Sequence, residues 1–320
     1  MSGFGSDALS PSLPASRPPL TARKPALMFR AALMGAIRSF FSGRGYLEVD
    51  TPHLLPALAP EIHIRSIAAE GGFLQTSPEL CMKRLLAADY GNIFQICHAF
   101  RKNERGDLHL PEFSLLEWYH THADYTHLMT ECEDLLKYLS QKLNRGDTIR
   151  YQGRDIALQG PWERLSVETA FHRYAPVSVQ KALEADCFDE MLVRHIEPHL
   201  GVRRPTILYD YPAPLAALAR LKPDNPALAE RFELYVAGIE LANGFSELID
   251  PVEQRQRFER ESAKMRAAGM TPYPMPEEFL RVLGHMPETA GIALGVDRLA
   301  MVFWGTDRID DVAAFTPEAL

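Results

Sequence analysis

Two β-rich runs, 92–100 and 113–118, stand on either side of the polar loop Arg101-Lys102-Asn103-Glu104-Arg105-Gly106-Asp107-Leu108-His109-Leu110. Adjacent runs of this kind read as one long antiparallel hairpin. Such a hairpin commits the chain to a sheet, and the remaining patterns decide what covers it. Phe29, Leu33, Ile37, Phe40 and Phe41 recur at helical spacing, so a helix starts near Met28, and Gly43 and Gly45 end it. Short strands follow at 46–49, before Thr51-Pro52, and at 73–75. Ser77 is a good N-cap and Pro78 suits the first position of a helix running to about 88. Helices are expected at 125–143, 167–174, 188–197 (ended by Pro198), 252–268, 277–286 and 296–304. Strands are expected at 206–209, 232–236, 239–241 and 291–295. Strands separated by helices, with a hairpin as the longest pairing, predict an α+β fold: a mostly antiparallel sheet flanked by helices.

Composition narrows the class. Residues 1–25 are Ser/Pro/Gly-rich with few large apolar side chains, and are expected to be a disordered leader. The rest of the 320-residue chain carries enough of the 46% hydrophobic residues for a sizeable core. No apolar stretch approaches the roughly 20 residues that span a bilayer, and the start lacks an apolar signal region. A cytoplasmic protein with no membrane partner is expected. With 34 Lys and Arg against 42 Asp and Glu, the formal net charge is −8, which disfavours nucleic acid as the main partner. Cys81, Cys97, Cys132 and Cys187 lie far apart and form no metal-binding pair, so reduced, mostly buried thiols are expected.

Three features carry chemistry. In the hairpin loop, Arg101, His109 and Phe113 can bring a cation, a polar donor and an aromatic face to one ligand, a combination suited to a purine triphosphate. Taken alone, the loop reads first as a solvated charged tip. Glu233, Glu240 and Glu247 are spaced by seven among apolar residues, while Tyr235-Val236, Gly238 and Asn243-Gly244 argue for strand and turn. Buried glutamates need a cation, and Mg²⁺ held by carboxylates and nucleotide phosphates meets that need. Glutamates facing outward from a half-exposed strand are an equal alternative. In Gly291-Ile292-Ala293-Leu294-Gly295-Val296-Asp297-Arg298, glycines allow close backbone approach and Arg298 lies in the first helical turn. This junction is weak by itself, but the three features together form the parts of an ATP–Mg²⁺ site.

These residues resemble the catalytic domain of class II aminoacyl-tRNA synthetases, specifically the lysyl branch, over 26 to about 318. The segment ending at Thr51-Pro52 resembles the family's dimer-forming first motif. Phe100-Arg101 through Pro111-Glu112-Phe113 and Leu116-Glu117-Trp118-Tyr119 resemble the second, and Gly291 to Arg298 the third. Ile239-Glu240-Leu241-Ala242-Asn243-Gly244-Phe245-Ser246-Glu247-Leu248 is similar to a segment of lysyl enzymes. The resemblance implies a homodimer using ATP and Mg²⁺, with 26–320 as one catalytic domain. Arg101 and Arg298 would be catalytic. Lys102, Asn103, His109, Leu110, Phe113, Glu240, Leu241 and Gly295 would complete the ATP site with them. Glu233 and Glu240 would hold the metal. Ser77, Pro78, Glu79, Glu117, Tyr119, Asn243, Glu247 and Ala293 would bind the amino acid, with Glu117, Tyr119 and Glu247 around its far ammonium.

The sequence departs from lysyl-tRNA synthetases in three ways. The expected leader would be too short for their anticodon-binding barrel. The stretch from His53 to His63 replaces a Gly-Gly-Ala-containing loop. Ala293 stands where they have Gly, adding a methyl group to the substrate pocket. In these respects the chain resembles free-standing paralogues of the lysyl catalytic domain, which activate (R)-β-lysine and join it to a lysine side chain of translation elongation factor P. The second motif also differs, with Lys102-Asn103-Glu104 and Leu110 where Arg-Asn-Glu and His-Asn-Pro patterns are usual, leaving open whether Asn103 or Glu104 reads adenine. The expectation is an ATP-dependent ligase with a protein acceptor. The rivals are a shortened enzyme charging tRNA and a non-catalytic regulatory paralogue.

Overall fold

The computed structural model describes residues 20–320; of the leader expected over 1–25, residues 1–19 lie outside the described residues. In chain order the first elements are α1 (Leu20–Ser42), β1 (Leu47–Glu48), β2 (Leu54–Leu55), β3 (Ala68–Ala69), β4 (Gly72–Leu74) and α2 (Glu79–Leu86). The hairpin β5 (Ile93–Phe100) and β6 (Glu112–Thr121) leads to α3 (Tyr125–Lys142), whose N-cap Asp124 accepts bonds from the Thr126 and His127 amides. Next come β7 (Thr148–Tyr151), β8 (Arg154–Ala157), β9 (Glu163–Ser166), α4 (Val167–Tyr174), α5 (Val179–Glu184) and α6 (Phe188–Met191). The last third comprises β10 (Thr206–Pro212), β11 (Leu228–Val236), β12 (Ile239–Ser246), α7 (Pro251–Ala267), α8 (Glu277–Leu283), β13 (Thr289–Gly295) and α9 (Val296–Trp304).

Eight strands form one sheet in the order β1-β5-β6-β13-β12-β11-β10-β9. Its pairings are antiparallel except at the two ends, where β1 runs parallel to β5 and β9 to β10. The expected α+β architecture with a mostly antiparallel sheet is therefore the one found. Alternation divides the two faces. Leu116 and Trp118 of β6, Phe232 and Leu234 of β11, and Ala290, Ile292 and Leu294 of β13 point into the main core with α1, α3 and α9. Their odd-numbered neighbours point to the other face, where α2, α7 and α8 form a smaller apolar cluster. No helix among the described residues is long and apolar enough to cross a membrane. All four cysteines are free, with Cys97 and Cys132 buried and Cys81 and Cys187 partly so.

Several expectations need correction. The first helix begins at Leu20 rather than near Met28, running through part of the expected leader and enclosing Pro25. A distant contact holds it: the buried Arg23 guanidinium donates to the carbonyls of Ala313 and Ala314, each at 3.4 Å. Pro78 sits at the cap of α2 rather than at its first position, although Ser77 Oγ still accepts the Glu79 amide at 3.0 Å. The helix expected at 188–197 stops at Met191, widens to a π-turn over Leu192–Ile196 and tightens to a 3₁₀ turn at Glu197–His199. Pro198 offers no N–H and its ring crowds the carbonyl four residues earlier, so a regular helix cannot pass through it. The strands β7, β8 and β9 and the helix α5, all within 140–205, had no sequence expectation.

Candidate active site

The sheet's odd-numbered face brings residues from five strands into two rows. Cross-strand partners place Glu233, Asn243, Ala293, Glu117 and Gln95 side by side, and one step along lie Arg231, Phe245, Gly291, Tyr119 and Ile93. The small residues of β13 leave space at the middle of this face, with acidic groups at its margins.

On one side lies a pocket of carboxylates. Glu117 and Glu247 are buried, and Tyr119 Oη donates to Glu117 Oε2 at 3.1 Å. Lys83 Nζ, fully buried, reaches Glu79 Oε1 at 2.6 Å and Glu247 Oε2 at 2.5 Å. Burial opposes the charge on Lys83, but Glu247 and Glu79 outweigh it and raise its pKa. Burial, with the charge of Glu79, pushes Glu117 up to about 8 against hydrogen bonds from Ser77 and Tyr119. Burial also pushes Glu247 up to about 8, against the pull of Lys83. The pocket thus has more acidic groups than its one ammonium can balance. Glu247 Oε1 is buried with no hydrogen-bond partner among the described residues, an acceptor awaiting a donor. Gly291 makes this arrangement possible, since a Cβ there would lie 2.2 Å from Glu247 Oε1 and 2.3 Å from a Tyr119 ring carbon.

On the other side are the arginines. Arg101 follows β5 with its guanidinium 5.0 Å from the centre of the Phe113 ring, and its Nε is buried without an acceptor among the described residues. That orphaned donor fits an anionic oxygen. Arg298, in the first turn of α9, donates to the Glu240 carbonyl at 2.8 Å and the Leu108 carbonyl at 3.3 Å, and meets His109 Nε2 at 2.6 Å. Burial and the charges of Arg298 and Arg101 push His109 down to about 4, so the imidazole is neutral and accepts the Arg298 N–H. Lys102 and Asn103 are exposed at the loop tip, Asn103 with φ of 68°, while Glu104 turns back to within 3.9 Å of Arg101. Leu110 and Leu241 have their side chains in the main core, so they can offer a ligand only backbone atoms. Gly295 precedes Arg298 at the edge of the same cleft.

The family model for class II tRNA synthetases (D, K and N) matches residues 21–319. The chain is 40% identical over 308 residues to a protein of Edwardsiella ictaluri (strain 93-146), covering 91% of this chain and 94% of that one. It is 40% identical over 312 residues to one of Salmonella gallinarum, covering 91% and 95%. It is 41% identical over 313 residues to one of Sodalis glossinidius, again covering 91% and 95%. All three relatives are named elongation factor P (R)-β-lysine ligase.

The chain belongs to the class II tRNA synthetases.

In this class II chain, a third acidic group was not foreseen in the sequence. Glu197 joins Glu233 and Glu240; burial and the charges of Glu240 and Glu233 push it up to about 7. Burial and Glu233 likewise raise Glu240, opposed by Arg298, Arg231 and Arg101. Carboxylate oxygens of this kind suit a hard divalent cation, although Arg231 and Arg298 already offset part of their charge. The two expected metal ligands are not equivalent, however. Glu233 accepts from Tyr211 at 2.5 Å, Tyr235 at 2.6 Å and Arg231 at 2.6 Å, with Asn243 at 3.5 Å, which occupies its lone-pair directions. Among the described residues the Glu240 carboxylate meets only Arg298, at 3.5 Å, and is the freer ligand.

Other residues of the site were also missed. Lys83 was readable as the i+4 partner of Glu79 on an expected helix, whereas Arg231 lies one residue before the strand expected at 232–236, which the structure extends back to Leu228. Glu61, from the loop after β2, is pushed up to about 7 by burial and by Glu79, against Arg101 and Arg231. No local pattern marks it, because its neighbours come from distant parts of the chain.

Proposed function

We propose that this chain activates (R)-β-lysine with ATP and transfers it to the side-chain amine of a lysine in translation elongation factor P. The observation that carries the reading is the excess of carboxylate over ammonium around Lys83, set across the cleft from the unpaired Arg101 Nε. A diamino acid supplies the missing positive charge, and its carboxylate is then directed towards the arginines. The names of the relatives agree with this reading.

In the first step a carboxylate oxygen of the amino acid attacks the α-phosphorus of ATP, forming the acyl-adenylate as pyrophosphate leaves. Arg101 meets the charge that develops on the α-phosphate, using the Nε donor it does not spend on the protein. Phe113 offers the adenine a flat face, and Arg298, held by the Glu240 and Leu108 carbonyls, faces the outer phosphates. Mg²⁺, held by Glu240 with Glu233 and Glu197 nearby, would neutralise phosphate charge. Glu79 and Asn243 orient the reacting end of the substrate, beside Ser77 and Pro78. Glu117, Tyr119 and Glu247 hold its far ammonium, and the Ala293 methyl limits where the other amine can lie. In the second step the neutral amine of the acceptor lysine attacks the acyl carbonyl and AMP leaves. No covalent enzyme intermediate is needed, so positioning and fixed charge supply the catalysis.

A second copy is expected to complete the molecule in solution: β1 is an edge strand with Leu47 exposed, and Leu54 of β2 is exposed too. The test of function is intact-mass analysis of elongation factor P after incubation with the enzyme, ATP and either α- or β-lysine, alongside pyrophosphate exchange. A gain of one β-lysyl group, greater with the β-isomer, is expected. No exchange would refute activation, and label found only in RNase-sensitive material would refute the protein acceptor.

A further inference from the structure

We propose that His120, His127 and Glu131 form a binding site for a Zn²⁺-like divalent transition metal, separate from the active site. His120 lies near the end of β6, while His127 and Glu131 are four residues apart in the first turns of α3, and therefore share one helix face. One ligand atom from each residue lies within 4.8 Å of the other two. His120 Nδ1 is 3.2 Å and His127 Nε2 3.9 Å from Glu131 Oε1, and the two imidazole centres are 4.2 Å apart. With metal–ligand bonds of about 2.0–2.2 Å, donors around a tetrahedral ion lie roughly 3.3 Å apart. One pair already has that spacing. His127 has a side chain 49% exposed, free to rotate the remaining distance.

The groups behind the ligands are also in place. Glu131 is buried, and both of its carboxylate oxygens are held by hydrogen bonds. Tyr46 Oη donates to Glu131 Oε1 at 2.6 Å and Trp118 Nε1 to Oε2 at 3.1 Å. Such outer bonds fix a carboxylate's orientation without using all its lone pairs. Two imidazoles and one carboxylate favour Zn²⁺ over Mg²⁺ or Ca²⁺, and the exposed side leaves a fourth position for water. His120 and Trp118 alternate with Glu117 and Tyr119 along β6, so the site lies on the face of the sheet opposite the active site. The metal would be structural, clipping β6 and α3 to the segment that carries Tyr46 into β1.

The experiment uses untagged full-length protein, stripped with chelator and titrated with ZnCl₂, then with CoCl₂ as a spectroscopic probe. The expected result is one Zn²⁺ bound per chain with a rise in melting temperature, and a tetrahedral Co²⁺ absorption band. In His127→Ala and His120→Ala both signals are lost and affinity falls at least about tenfold, while pyrophosphate exchange in His127→Ala stays at the wild-type level. Zn²⁺ uptake that is absent, or unchanged in both variants, would overturn the proposal. Uptake removed instead by Glu240→Gln would assign the metal to the acidic cluster of the active site and equally overturn it.

Discussion

At the residue scale, protonation is the main consequence of the pocket. Glu117 and Glu247 are both raised to about 8, so near neutral pH the ligand-free pocket retains protons that an unfolded chain releases above the ordinary carboxylate range. Between that range and about pH 8 the folded state binds more protons than the unfolded one, so these groups lower stability as pH rises. A diamino acid favours their ionised form. Its binding is therefore expected to release protons and to tighten as pH rises from 6 to 8. Calorimetry in buffers of different ionisation enthalpy checks this, and a heat independent of buffer would contradict it. Across the cleft, Arg101→Ala is expected to slow adenylate formation by ~10²–10³ while leaving the fold intact, because the lost donor stabilises developing charge. Rapid-quench measurement of the adenylate separates this from weaker ATP binding.

At the element scale, β13 sets the shape of the pocket. After Thr289 its odd positions are Gly291, Ala293 and Gly295, and the first two of these stand directly beside Tyr119 and Glu117. Gly291→Ala would place a methyl inside the van der Waals radius of both Glu247 and Tyr119. It is expected to raise KM for the amino acid by about tenfold or more, with KM for ATP little changed, as overpacking costs about 1–3 kcal/mol. Ala293→Gly acts in the opposite sense: removing one methyl is expected to reduce the preference between β- and α-lysine by about tenfold. Steady-state kinetics with both isomers distinguishes the two effects. The strand itself was legible, since glycines bound an apolar run that leads into a helix. That Gly291 touches Glu247 was not, because β12 and β13 are brought together by the fold with α7 and α8 between them in sequence.

At the scale of the whole molecule, one buried clasp joins the ends of the chain to the site. Arg30 of α1 donates to Asp297 Oδ1 at 2.6 Å and Ser114 Oγ at 2.8 Å, and the Ser114 amide donates to Asp297 Oδ2 at 2.6 Å. Asp297 immediately precedes Arg298, so the clasp also orients the arginine proposed to face the nucleotide. Arg30→Met leaves Asp297 buried without its cation. It is expected to cost about 3 kcal/mol in chemical denaturation, in the range for breaking a buried pair, and to raise KM for ATP.

The sequence alone determined most of the elements, because helical and strand periodicity, caps and glycine stops act over a few residues. It also marked candidate groups for the proposed reaction, since Arg101, Phe113, Glu240 and Arg298 stand in recognisable local settings. Only the tertiary structure decided how those groups are charged and paired. Lys83 joining Glu79 to Glu247, Tyr211 and Tyr235 closing on Glu233, and Glu197 facing Glu240 each combine segments far apart in the chain. Burial and Coulomb interactions depend on distances in space, and spacing along a sequence does not report them.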